Sequence, residues 1–224
     1  VTEAVVEAPP VEAVKSPWSW AAPGIMVIEG AADWGQDAIQ QVQNLVEVNP
    51  EVNWEQTTVA NNRNSDPTSY KSDDRDCDSV CITRRKELSE LDGRIHKTAG
   101  FSLGCYLEAQ GYAMANIDSG YDILRYREGQ KFVPHVDATP ASTASSPTGH
   151  QAKDRQLTLL AYLNEDYEGG ELFFPSHNLT LRPKAGDVVV FPSNFAFPHE
   201  AKPTTKGERF VVVTWFFWKE PSQG

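Results

Sequence analysis

The apolar positions of this chain change their period once. In "DWGQDAIQQVQNLVEV" (33–48), Ile39, Val42, Leu45 and Val46 recur at helical spacing, and Asp33 and Gln36 stand in capping-box spacing ahead of them. The pattern predicts a helix with one buried stripe. A second helical region is predicted from about Arg85 to Ala109, carried by Leu88, Leu91, Ile95, Leu103 and Leu107, with Gly93, Gly100 and Gly104 as points where it could break. From Tyr121 the period drops to that of strands. Eight short segments follow: "YDILRYR", "KFVPHVD", "QLTLLAYLN", "GELFFP", "LTLRP", "DVVVFP", "FAFPHEA" and "RFVVVTWFFW". With Gly, Pro and Asn between them, they predict a sandwich or jelly-roll barrel rather than a parallel α/β sheet.

Three stretches fall outside this patterning. Residues 1–20 mix Pro, Ala, Val and Glu without a stable period and read as a flexible N-terminal arm. Residues 57–81 are polar and dense in Asn, Asp and Ser, which predicts a long functional or disordered loop. Residues 138–154 are of low complexity and read as a second flexible loop. The expected organisation is one domain over residues 21–224, with helical support at about 33–110 and a β core at about 121–218. The fold class is therefore α+β, mainly β.

Composition narrows the function classes. A chain of 224 residues, 40% hydrophobic and 23% charged, suits one soluble globular domain. A net charge of −11 without a basic stripe argues against nucleic acid as a partner. No apolar run approaches the roughly 20 residues that span a bilayer, so no membrane span is expected; the sequence leaves the compartment open, with a soluble, cytoplasmic protein as the expectation. Three cysteines, Cys77, Cys81 and Cys105, are too few for a disulfide framework. "CDSVC" leaves open either a local bridge or free thiols.

The candidate chemistry begins with "FVPHVDATP". His135 and Asp137 stand two apart in a strand pattern and so point to one face. Such a pair either decorates a wet surface or aims at a common target. His199, in "FAFPHEA", supplies a third candidate from a distant strand of the same barrel. Two imidazoles and one carboxylate form the facial set of non-haem Fe(II) oxygenases, with open positions left over. Arg209 opens the last strand and shares a face with Val211, Val213 and Trp215. If that face is interior, its guanidinium needs an anion, and its fork suits a carboxylate; if not, it is a strand end in water. Tyr126 and Tyr162 are either packing residues or phenols that reach a carboxylate. Gly169 and Gly170 read as a hairpin turn. His96, His150 and His177 receive no role.

The segments "YDILRYREGQKFVPHVD", "YLNEDYEGGELFFP", "KAGDVVVFPS" and "PHEAKPTTKGERFVVVTWFF" resemble, in this order, the Fe(II)/2-oxoglutarate-dependent dioxygenases of the prolyl 4-hydroxylase type. The resemblance covers about residues 121–218. It implies a double-stranded β-helix (jelly roll) core braced by N-terminal helices. It implies iron ligation by His135, Asp137 and His199, with Arg209 on the distal carboxylate of 2-oxoglutarate, Tyr162 as a second contact and Tyr126 near the metal-chelating end. Arg209, Asp137 and the two histidines are then the catalytic set, and Arg155 and Trp215 border the substrate. Collagen-type members often carry Lys where Arg209 stands, whereas oxygen-sensing members carry Arg. "SYKSDD" looks like a substrate-covering loop, although its length and cysteines depart from the family. The implied reaction consumes dioxygen and 2-oxoglutarate, hydroxylates a proline in a peptide or protein, and yields succinate and CO2, with ascorbate keeping the iron reduced. Three alternatives stay open at this stage: a hydroxylase of a free amino acid or other small molecule, a zinc-dependent hydrolase, and a non-catalytic jelly-roll binding module.

Overall fold

A computed structural model describes residues 17–57, 59–60, 69–70, 74–83, 85–111, 116–138 and 151–218. Most of the N-terminal arm, much of the 57–81 loop, most of the 138–154 loop and His150 lie outside these residues. Among the described residues the chain is mainly β. A nine-stranded antiparallel sheet runs in the order Trp18–Ala22, Ile25–Ile28, Val188–Pro192, Leu157–Tyr162, Arg209–Trp218, Asp122–Tyr126, Asp78–Cys81 and Glu55–Gln56, with Asn116–Asp118 pairing the far end of Arg209–Trp218. A five-stranded sheet runs Leu179–Leu181, Leu172–Phe174, His199–Ala201, Lys131–His135 and Arg75–Asp76. All eight strand segments expected after Tyr121 are present.

Alternation along the central strands assigns the two faces of the large sheet. Leu159, Ala161, Val188, Val190, Phe210 and Val212 pack on one side with residues of the helices. Tyr162, Val189, Phe191 and Val211 pack on the other against Leu172 and Phe174 of the small sheet. Because both faces are covered, these strands read as unbroken apolar runs such as "VVVF" and "FVVV". The interior between the two sheets is where the site lies.

The helices are α1 (Gly35–Val48) and α2 (Ser89–Gln110). In α1, Ile39 and Val42 are buried and Leu45 and Val46 pack against the core, as the stripe predicts. The capping box does not form. Trp34 takes the N-cap position without a side-chain cap, and Gln36 instead donates to the Leu163 carbonyl. The reason is tight docking: a Cβ on Gly35 would stand 2.7 Å from that same carbonyl oxygen, so the helix start is seated on the sheet rather than capped in solvent. Helix α2 is continuous. Gly93, Gly100 and Gly104 face open space, where each costs about 1 kcal/mol of helix propensity but removes no packing.

Two sequence expectations need correction. Trp18–Ala22 is a strand paired with Ile25–Ile28, so the arm assigned to residues 1–20 ends before Trp18. The stretch 57–81 is not one loop: Arg75–Asp76 extends the small sheet, and Asp78–Cys81 pairs with Asp122–Tyr126 in the large one. No disulfide joins Cys77, Cys81 or Cys105.

Candidate active site

The strands Lys131–His135 and His199–Ala201 are antiparallel neighbours, with His135 opposite His199 across a local irregularity in the pairing. Asp137 follows two residues beyond the end of the first strand. This register brings three side chains together from points more than sixty positions apart in sequence. His135 Nε2 lies 3.8 Å from Asp137 Oδ1, and His199 Nε2 lies 3.5 Å from Asp137 Oδ2. One ligand atom from each residue falls within 4.8 Å of the others. The three side chains are 18%, 8% and 6% exposed, which sets the cluster at the bottom of an opening rather than on a surface.

Both imidazoles are oriented through their other nitrogen. His135 Nδ1 lies 2.8 Å from the Val133 carbonyl, and His199 Nδ1 lies 3.2 Å from the Phe197 carbonyl. A carbonyl only accepts, so each Nδ1 carries the proton and each Nε2 presents a lone pair to the centre. Packing holds the rings: Phe132 stacks on His135 at 3.4 Å between centroids, while Phe174 and Phe191 flank His199. Burial, reinforced by the adjacent His199, holds His135 down at about 3, so it is a neutral ligand at physiological pH. Burial pushes Asp137 the other way, but the imidazoles of His199 and His135, the Arg155 guanidinium and a hydrogen bond from Thr158 outweigh it and keep the carboxyl at about 2. Two neutral nitrogens and one anionic oxygen fit a divalent cation of the iron, cobalt or zinc group.

The cavity that holds the triad continues to Arg209. Its lining includes Tyr126, Tyr162, Val211, Val213 and Trp215 from the large sheet and Phe132, Leu172 and Ala201 from the small one. Of the two alternatives the sequence left open for Arg209, interior face or strand end in water, the structure shows the interior one. Arg209 is 2% exposed. Its Nη1 donates to the Gly170 carbonyl at 2.7 Å, and its Cζ stands 4.0 Å over the Tyr126 ring. No hydrogen bond reaches its Nε, and no carboxylate among the described residues pairs with it. A buried cation without an anion is costly unless a ligand supplies one.

Antiparallel register sets Tyr126 directly opposite Arg209. Its ring packs against the Arg209 guanidinium within the cavity that also holds the triad. Tyr162 lies opposite Val211 on the neighbouring strand, at 1% exposure. Burial raises both phenols, so both remain protonated donors. Arg155 and Trp215, expected at the substrate border, pack on each other: the guanidinium carbon sits 3.4 Å over the indole, and Nη1 donates to the Asp137 carbonyl at 3.2 Å.

Sequence reasoning missed three contributors. Thr158 donates to Asp137 Oδ2 at 2.6 Å; a hydroxyl in the interior row of Leu160 and Tyr162 was the available signal. Gly170 is more than a turn residue. With φ at +67°, it presents its carbonyl to Arg209, and a Cβ there would stand 3.2 Å from Arg209 Cδ. Arg75 also lines the cavity, with its guanidinium over Phe132 at 5.2 Å.

Comparison with known proteins follows this geometry. Residues 121–217 match the 2OG-Fe(II) oxygenase superfamily. A protein of Acanthamoeba polyphaga mimivirus, named as a prolyl 4-hydroxylase, is 33% identical over 103 residues, covering 42% of this chain and 43% of its own length. A PKHD-type hydroxylase of Alteromonas mediterranea is 34% identical over 93 residues, covering 41% and 40%. The matched stretch thus spans about two fifths of these curated relatives. Among solved structures, a prolyl hydroxylase from Trichoplax adhaerens, in complex with a hypoxia inducible factor peptide fragment, superposes with a TM-score of 0.65 at 20% identity, covering 87% of this chain and 83% of that one. The viral collagen prolyl hydroxylase of Paramecium Bursaria Chlorella virus-1 gives 0.59 at 18% identity, covering 88% and 97%. At such identities the likeness speaks for the fold. No helix among the described residues is long and apolar enough to cross a membrane. Residues 121–217 thus match a 2OG-Fe(II) oxygenase domain, and over this stretch the chain is similar to proteins named as prolyl 4-hydroxylases and PKHD-type hydroxylases.

Proposed function

We propose that this protein is an Fe(II)- and 2-oxoglutarate-dependent dioxygenase that hydroxylates prolyl residues in a peptide or protein. One observation carries the reading: a buried guanidinium with no anionic partner among the described residues shares a cavity with two imidazoles and a carboxylate whose ligand atoms converge. On this reading the two facing sheets are the halves of a double-stranded β-helix, α1 and α2 brace it, and the chain from residue 21 onward forms one unit. A zinc hydrolase would use the triad but leave Arg209 without a purpose.

His135, Asp137 and His199 would hold the iron, and Arg209 would take the far carboxylate of 2-oxoglutarate in a bidentate grip, with Tyr162 as a second donor. Fe(II) with 2-oxoglutarate supplies the activation of dioxygen and the oxidation of an unactivated C–H bond, leaving succinate and CO2; ascorbate serves to keep the metal ferrous. The chain's own contribution is position and dryness. The Nδ1 contacts fix both rings before any metal arrives. Phe132, Phe174 and Phe191 keep water from the imidazoles. Arg155 and Trp215, stacked beside Asp137, would form the wall on which the substrate lies. Support for a prolyl substrate comes from the named activities of the relatives and from the peptide in the Trichoplax complex.

The test is mass spectrometry of proline-containing peptides incubated with protein, Fe(II), 2-oxoglutarate, ascorbate and air. The expected result is one added oxygen on proline, absent without 2-oxoglutarate and absent in Arg209→Ala. Succinate formation with a free amino acid, but with no peptide of a broad panel, would overturn the prolyl assignment.

A further inference from the structure

Each imidazole of the triad has one nitrogen occupied by a carbonyl and one left for a ligand. The carboxylate shows the same division of labour, through a side chain instead of the backbone. Asp137 Oδ2 accepts from Thr158 Oγ1 at 2.6 Å, while no hydrogen bond reaches Oδ1 among the described residues. Thr158 Oγ1 also lies 2.8 Å from Ser193 Oγ. Thr158 and Ser193 are both 1% exposed, so no bulk water competes for these contacts.

The proton positions follow from elementary accounting. Asp137 Oδ2 is the acceptor of the Thr158 hydroxyl. Thr158 owns a single hydroxyl proton, and the 2.6 Å contact to an anion claims it. Ser193 must then donate to Thr158. The chain is directed, Ser193 to Thr158 to Asp137, and donors in series strengthen one another. Its base is fixed as well. Ser193 N donates to the Gln156 carbonyl, and Ala138 N donates to the Ser193 carbonyl, both at 2.9 Å. The segment leaving the strand at His135 is thereby clipped, one residue past the carboxylate, to the residue that follows Val188–Pro192.

We infer that Thr158, aligned by Ser193, is a positioning residue that holds Asp137 as a single-oxygen ligand. Without the hydroxyl the carboxylate is free to turn and offer both oxygens, which would occupy a position that the chelating cosubstrate needs. The inference rests on the oxygenase reading above.

The test uses the full chain and Mn(II) as a redox-silent probe, with free Mn(II) followed by electron paramagnetic resonance under nitrogen. Thr158→Val, which keeps the shape and removes the hydroxyl, is expected to change Mn(II) affinity by about 10- to 100-fold and to weaken 2-oxoglutarate binding to the loaded protein. Thr158→Ser is expected to restore both to within about threefold of the parent, since its hydroxyl makes the same hydrogen bond. Ser193→Ala, which leaves Thr158 its proton, is expected to fall between the two. Should Thr158→Val fail to fold, the Ser193→Ala and Thr158→Ser pair still decides the matter. Affinities of Thr158→Val or Ser193→Ala within about twofold of the parent, or a Thr158→Ser variant no better than Thr158→Val, would overturn the positioning role while leaving the oxygenase reading intact. A parent protein that binds neither Mn(II) nor Fe(II) would overturn that reading itself.

Discussion

The two ends of the cavity solve opposite problems. At the triad end the atom of each ligand side chain that does not face the centre is already satisfied within the protein: two carbonyls take the Nδ1 protons and Thr158 takes one carboxylate oxygen. What remains is a cluster of electron pairs with one negative charge. At the arginine end the balance is reversed. Arg209 has a carbonyl and an aromatic face, both weak counterparts for a full charge, and its Nε is unpaired. The converging ligand atoms of the first end call for a cation, and the guanidinium of the second, with no carboxylate partner among the described residues, calls for an anion. A metal chelated by a dicarboxylate supplies both, which is why neither end explains itself alone.

Perturbing one end at a time separates them. The largest effect is expected from Asp137→Ala, which removes the only charge among the ligands. A unit charge at about 4 Å in a partly buried site is worth about 4 kcal/mol, so Fe(II) or Mn(II) affinity should fall roughly a thousand-fold in a metal titration. Arg209→Ala should leave metal affinity unchanged and cost about 2–5 kcal/mol of 2-oxoglutarate binding, read by calorimetry without oxygen. Arg209→Lys should fall between, because the charge survives and the fork does not. Gly170→Ala acts on the arginine end indirectly. A Cβ in the left-handed region, pressed on Arg209 Cδ, should destabilise the fold by about 1–2 kcal/mol in denaturant and raise the KM for 2-oxoglutarate.

The smallest effect is one of pH and belongs to the triad end. His135 is held near 3 in the folded protein against 6.5 as the ordinary value. Below 6.5 the unfolded chain takes up a proton that the native one refuses, so stability of the metal-free protein should decline as pH falls. The loss should be about 1 kcal/mol between pH 6.5 and about pH 5.5, and the part due to this ring should vanish in His135→Gln. The arginine end contributes nothing in that window through its phenols, since burial keeps Tyr126 and Tyr162 protonated.

The unequal legibility of the chain has a physical cause. The strands after Tyr121 could be read because their buried positions are filled by Val, Leu and Phe. The H-x-D pair and Arg209 stood out as polar residues in that apolar rhythm. The strand Asp78–Cys81 did not stand out because a buried position in it is taken by a charge. Asp78 is 4% exposed and is neutralised by Arg125 and Arg127 from the adjoining strand and turn, a compensation that only the folded register supplies. The first strand was hidden for a related reason: "WSWAA" lies at the sheet edge, with Trp20 part exposed, and lacks a full apolar alternation. Thr158 and Gly170 were visible as residues but not as parts of the site. Their roles depend on contacts 21 and 39 positions away.

Titration of 2-oxoglutarate into the protein under nitrogen, with and without Fe(II), tests the joint use of both ends most directly. The account predicts one equivalent bound with the metal present and a large loss of affinity when the metal is withheld, with the metal-bound titration collapsing again in Arg209→Ala. Equal affinity with and without iron, or binding indifferent to Arg209, would contradict it.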